Sequence, residues 1–164
     1  MAFWKLYYHL VWGTKHRRPM ITPIVEQHLY PLIVQRAADL GMFVYAVNGW
    51  WDHMHVVTAV PPKLTISDVV KDLKGASSHF INTHDWLDER FQWQRGYGVF
   101  SLGEKQRPFA EAYVNNQKQH HEQQTSNAWL ERMSETDEGV VFPSRDGVLR
   151  ESGAVYEVGD DFPF

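Results

Sequence analysis

Aromatic and β-branched residues crowd positions 3–12, and that density predicts a first strand. A basic loop follows, Gly13-Thr14-Lys15-His16-Arg17-Arg18-Pro19. Thr22-Pro23 reads as a helix N-cap with proline at the first helical position. Ile24, Val25, Leu29, Leu32, Ile33 and Ala37 then recur at helical spacing, and Gly41 closes that helix. Positions 43–47 read as a second strand, turned either by Asn48-Gly49 or by the 50–52 region. A third strand over 53–60 is stopped by Pro61-Pro62. Thr65 or Ser67 caps a second helix carrying Ile66, Val69, Val70, Leu73 and Phe80. Positions 97–102 give a fourth strand, and Arg107-Pro108 opens a helix running to about Gln124. Strand, helix, strand, strand, helix, strand, helix is the order of an α+β fold. The plan expected is a ferredoxin-like antiparallel sheet with helices on one face.

Past Thr125 the periodicity fades and Gly, Ser, Asp and Glu accumulate. One domain over 1–124, with an acidic tail or arm over 125–164, is therefore expected. The chain of 164 residues is 43% hydrophobic and 14% aromatic, too apolar for a disordered chain. No run approaches the ~20 apolar residues of a membrane span, and the start lacks the pattern of a secretory signal. The absence of cysteine removes disulfides, a thiolate nucleophile and cysteine-rich zinc sites, and fits a cytoplasmic protein.

The net charge of −4 argues against nucleic acid until the charges are located. From Glu131 onward there are nine acids against three bases, a segment of −6. The rest carries 13 bases and 11 acids, or +2, together with all nine histidines. A mildly basic, histidine-rich body suits phosphate, because local fields decide binding.

Two patterns carry chemistry. His53-Met54-His55 lies in a predicted strand, where residues i and i+2 face one side, so both imidazoles can chelate one divalent ion. A cross-strand pair without metal fits the same three residues. In Tyr113-Val-Asn-Asn-Gln117 the phenol and the amide share one helical face. A tyrosine becomes a useful nucleophile where a metal polarises the group it attacks, and Gln117 offers a neutral oxygen as third ligand. A half-buried aromatic beside a solvated glutamine also fits.

Taken together, the motifs identify a resemblance. The matching stretches are Tyr8-His9-Leu10-Val11-Trp12-Gly13-Thr14-Lys15, Arg17-Arg18-Pro19, Asp52-His53-Met54-His55-Val56-Val57, Pro61-Pro62-Lys63 and Leu73-Lys74-Gly75. They continue through Trp93-Gln94, Gly96-Tyr97, Phe100-Ser101-Leu102-Gly103 and Tyr113-Val114-Asn115-Asn116-Gln117-Lys118-Gln119-His120-His121. The chain resembles, over residues 3–124, the HUH single-tyrosine transposases of the smallest bacterial insertion sequences and their palindrome-associated relatives. The Tyr-x-x-x-Gln form looks more like the insertion-sequence branch.

The resemblance implies an enzyme that cuts and rejoins single-stranded DNA beside hairpins through a covalent 5′-phosphotyrosine, acting as a homodimer. Tyr113 would be the nucleophile, and His53, His55 and Gln117 the ligands of magnesium or manganese. DNA contacts are expected from Lys15, Arg17, Arg18, Lys63, Lys71, Lys74, Lys105 and Arg107. A noncatalytic or domesticated nucleic-acid-binding protein of the same fold is the alternative. The segment after 125, including Trp129-Leu130-Glu131-Arg132, matches nothing in that family pattern.

Overall fold

The computed structural model describes residues 2–128 and 130–133. The expected tail therefore lies, from 134 onward, outside the described residues. Four strands, β1 (Tyr7–Gly13), β2 (Phe43–Trp50), β3 (His53–Ala59) and β4 (Gly98–Leu102), form one sheet in the order β2-β3-β1-β4. Every neighbouring pair is antiparallel. The helices are α1 (Pro23–Asp39), α2 (Ile66–Asn82), α3 (Arg107–Asn115) and α4 (Gln117–Glu122). The expected ferredoxin-like α+β fold is what the chain adopts.

β3 is central and fully buried, and its period of two sorts the two faces. Met54 and Val56 point one way with their partners Trp12 and Leu10. They meet Val25, Leu29 and Ile33 of α1 and Val69, Val70 and Leu73 of α2 in the main core. A bidentate Arg36–Asp72 pair at 2.6 and 2.9 Å ties α1 to α2. His53, His55 and Val57 point the other way. Val57 packs with Ala46 of β2 and with Ala110 and Val114 of α3 in a smaller second core. The two long helices thus share a face as expected, while the tyrosine-bearing helix covers the opposite one.

Local chemistry accounts for most boundaries. Thr22 and Thr65 cap α1 and α2 by accepting hydrogen bonds from Val25 N and Asp68 N, which selects Thr65 over Ser67. Leu40 is the last α-type residue of α1, and Gly41 takes φ 81°, a left-handed value open to glycine. β1 is shorter than expected because its partners run out. Tyr7 pairs with the last residues of β3 and β4, and Phe3 is 88% exposed. Asn48-Gly49 does not turn the chain. Gly49 lies inside β2 against the backbone of His53 and Met54, where a Cβ would sit 2.8 Å from Met54 Cα. The turn is made by Trp51 and Asp52. The single last helix expected from the pattern is broken at Asn116 (φ −96°, ψ 14°). The Asn48 amide donates to the Asn115 carbonyl at 3.1 Å, supplying that carbonyl with a partner outside the helix.

Candidate active site

β3 enters the site through Asp52 and delivers His53 and His55, both fully buried, to the face under α3 and α4. Each imidazole is oriented through Nδ1. His53 Nδ1 lies 2.7 Å from Asp52 Oδ1, and His55 Nδ1 lies 2.8 Å from Nε2 of His9 on β1. Holding a histidine by one nitrogen fixes where the other points, so both Nε2 atoms are aimed at one place. The basic loop buttresses this arrangement. His16 and Arg17 take left-handed φ values of 57° and 54°, strained for side chains of that size. Arg17 Nε donates to Asp52 Oδ2 at 2.9 Å.

From the opposite side, α3 brings Tyr113 and α4 brings Gln117. Gln117 Nε2 lies 3.5 Å from His53 Nε2, the Tyr113 ring packs edge-on to His55 at 6.2 Å, and both side chains converge on the carboxylate of Glu131. Glu131 Oε2 lies 2.8 Å from His53 Nε2 and 3.0 Å from His55 Nε2. Its Oε1 accepts from the Tyr113 hydroxyl at 2.6 Å and from Gln117 Nε2 at 2.7 Å. The backbone N–H of Asn127 donates to Tyr113 Oη at 2.9 Å, and His120 stacks on the phenol ring at 4.7 Å. His121 Nε2 reaches His53 Nε2 at 3.1 Å and stacks on Trp50. Gln117 is fully buried, and its Oε1 has no hydrogen-bond partner among the described residues.

The electrostatics follow from this packing. Burial raises the carboxyl pKa of Glu131, but hydrogen bonds to His53 and His55 outweigh it and hold the group well below the usual carboxylate range. Burial works against a charge on His53 too, yet the Asp52 and Glu131 carboxylates win and raise its pKa. His55, more deeply buried, is shifted downward by desolvation. Burial and then the Glu131 hydrogen bond push the Tyr113 hydroxyl upward, keeping it an undissociated phenol. His53, His55 and Glu131 form a group able to hold a metal ion, with their ligand atoms within 4.8 Å of one another.

The four residues expected to carry catalysis are thus brought together, while the expected DNA-binding residues are distributed. Arg17 is engaged with Asp52, and Lys15 donates to Gln92 Oε1 at 3.1 Å. Arg18 pairs with Glu89. Lys74 is bonded to the carbonyls of Arg95 and Gly96, and Lys71 is exposed on the same helix, which covers the face opposite the histidines. Lys63 and Lys105 are exposed. The Arg107 guanidinium lies 4.0 Å over the Tyr45 ring, at the far end of the sheet from His53. Glu131 was legible only as one acid of a tail. A lone glutamate 76 positions from His55 carries no local signal, and the contact exists only once the chain returns over the sheet.

Known proteins share this plan. The sequence profile of the IS200-like transposases matches residues 2–117, more than half of the chain, and the chain belongs to that family: it is a transposase. The ISDra2 transposase TnpA of Deinococcus radiodurans is 29% identical over 119 residues, 70% of this chain and 85% of that protein. The transposase of insertion sequence IS200 from Salmonella typhimurium is 26% identical over 106 residues, 61% of this chain and 69% of that protein. A crystal structure from Deinococcus radiodurans, described as that of a transposase, superposes with a TM-score of 0.58 at 29% identity, covering 71% of this chain and 93% of that one. A REP-associated tyrosine transposase bound to a REP hairpin shares the fold at a TM-score of 0.57 and 16% identity, covering 74% of each chain.

Proposed function

We propose that this transposase cleaves and rejoins single-stranded DNA beside hairpins, with Tyr113 as nucleophile and His53, His55 and Gln117 holding a magnesium or manganese ion. The observation that carries the proposal is the convergence of Tyr113 Oη, Gln117 and both histidine Nε2 atoms on a single carboxylate, each within 3.0 Å of it. The residues fit a divalent ion. Both Nδ1 atoms are engaged elsewhere, so Nε2 is the nitrogen each ring turns to the site, and the buried amide oxygen of Gln117 has no partner among the described residues. When bound there, such an ion polarises the scissile phosphate.

In the cleavage step Tyr113 Oη forms a bond to phosphorus, the bond from phosphorus to the 3′ oxygen breaks, and the phenolic proton ends on the released 3′ hydroxyl. Rejoining reverses the exchange: a 3′ hydroxyl attacks the 5′-phosphotyrosine and the phenol is restored, so no external energy is needed. Asp52 keeps a proton at Nδ1 of His53, and His9 braces His55. The catalytic domain is residues 1–124, with 125–164 as an arm, and the protein acts as a cytoplasmic homodimer. Lys15, Arg17 and Arg18, on the loop beside Asp52, supply phosphate contacts next to the cleavage site, and Lys63, Lys71, Lys74, Lys105 and Arg107 supply contacts to more distant parts of the DNA.

The test is incubation of the wild type and Tyr113→Phe with a hairpin-bearing single strand and Mn2+, followed by a denaturing gel. The expected result is a protein–DNA adduct in the wild type, none in the variant, and hairpin affinity equal within about twofold. An adduct in the variant would remove Tyr113 from its role. A band retarded on a native gel, with neither adduct nor cleavage on the denaturing one, would mark a noncatalytic binder.

A further inference from the structure

We propose that Glu131 is a fourth, anionic ligand of the divalent ion, and that its other oxygen positions the Tyr113 hydroxyl, an assignment that rests on the metal site proposed above. The two oxygens of the carboxylate divide the work. Oε2 stands 2.8 and 3.0 Å from the two Nε2 atoms, and Oε1 stands 2.6 Å from Tyr113 Oη. Ions of this class hold their ligands at about 2.1 Å, which spaces neighbouring ligand atoms roughly 3 Å apart. The Oε2 and Nε2 atoms already have that spacing. Because each Nδ1 is bound to Asp52 or His9, both Nε2 atoms are directed to the point where Oε2 lies, and an ion there would take the place of the protons that now link them to the carboxylate.

Charge favours the same assignment. His53, His55 and Gln117 are neutral ligands, so a dication among them would keep its whole charge in a buried place, an expensive arrangement without an anion. The Glu131 side chain is only 15% exposed and itself needs a compensating cation. Each supplies what the other lacks.

The positioning half of the proposal comes from the turn that bears Glu131. Glu131 N donates to the Asn127 carbonyl at 3.1 Å, joining the two residues in one turn. From that turn Asn127 N–H donates to Tyr113 Oη at 2.9 Å, while Tyr113 donates to Glu131 Oε1. The phenol is gripped from both sides by one short segment. An ion that captures Glu131 therefore also fixes the direction of the Tyr113 oxygen. Glu131 is a positioning residue toward Tyr113 and a ligand toward the ion.

Calorimetric titration of the full chain with Mn2+, without DNA, reads the first role. Glu131→Gln keeps the shape and removes the charge. The expected result is a rise in Kd of tenfold or more, with Glu131→Asp intermediate and Tyr113→Phe unchanged within twofold. The second role is read at saturating Mn2+, where Glu131→Gln should slow adduct formation while leaving hairpin Kd within twofold. A Glu131→Gln variant that folds by circular dichroism and binds Mn2+ as the wild type does overturns the proposal. So does faster adduct formation, which would mean that the carboxylate merely stands where the scissile phosphate must go. If the wild type forms no adduct at all, the proposed strand cleavage fails, while the Mn2+ titration still decides the ligand role.

Discussion

Asp52 is where a small change in the site should be measurable without touching a ligand. Its Oδ1 holds His53 Nδ1 at 2.7 Å and its Oδ2 accepts from Arg17 Nε at 2.9 Å. Burial raises the Asp52 pKa, but the His53 and Arg17 interactions outweigh it, so the carboxyl stays ionised throughout the neutral range. Asp52→Asn preserves the shape yet removes the anion that makes Nε2 a better donor to a metal. It also turns one amide N–H toward an N–H of His53 or Arg17, since an amide can accept on one side only. Loss of such a supporting carboxylate costs about 10–100-fold in metal affinity. The side chain is 22% exposed and already shared with Arg17, which places the expected effect near tenfold, or about 1.4 kcal/mol. Titration calorimetry with Mn2+ at pH 7.5 measures it. Asp72→Asn is the control, because it removes the same charge from the Arg36 pair on the other face of the sheet. A folded Asp52→Asn variant whose Kd stays within twofold of wild type would refute the reasoning and leave His53 oriented by packing alone.

Replacing His53 and His55 together with alanine should weaken Mn2+ binding by more than about 100-fold and abolish adduct formation, because the remaining groups are a poor site. Unchanged Mn2+ affinity would reduce the two rings to a structural pair. His9 governs a pH dependence. Burial, reinforced by the His55 ring, holds its pKa well below the ordinary value, so the folded state keeps it neutral. Above about pH 6.5 it is neutral folded or unfolded. Below that the unfolded chain takes up a proton that the folded chain refuses, so its contribution to stability is present above pH 6.5 and is lost progressively as pH falls. Urea midpoints at pH 7.5 and 5.0 should therefore drop less in His9→Gln, and equal drops would show that His9 carries no such share.

The order of elements and the two long amphipathic helices were legible because their signals are local. The caps at Thr22 and Thr65 hydrogen-bond within one turn, and apolar spacing reports a buried face wherever a partner surface exists. His53 and His55 were legible as a pair because alternation in a strand needs no knowledge of neighbours, and Tyr113 and Gln117 because they stand four positions apart on one face. Non-local contacts decided the rest. The aromatic start reads as strand from 3, but a strand ends where its partners end, at Tyr7. Asn48-Gly49 reads as a turn, yet the glycine serves a close approach to His53. The break at Asn116 follows a hydrogen bond from a strand 67 positions away. Glu131 is the sharpest case: its sequence neighbourhood is an acidic, aperiodic segment, and only the return of the chain over the histidine face brings it to His53, His55, Tyr113, Gln117 and His121. The sequence by itself determined which residues can make chemistry and on which elements they ride. Which of them meet was left to the tertiary structure, because a carboxylate held by two strand histidines and two helical side chains depends on chain segments that no short-range pattern connects.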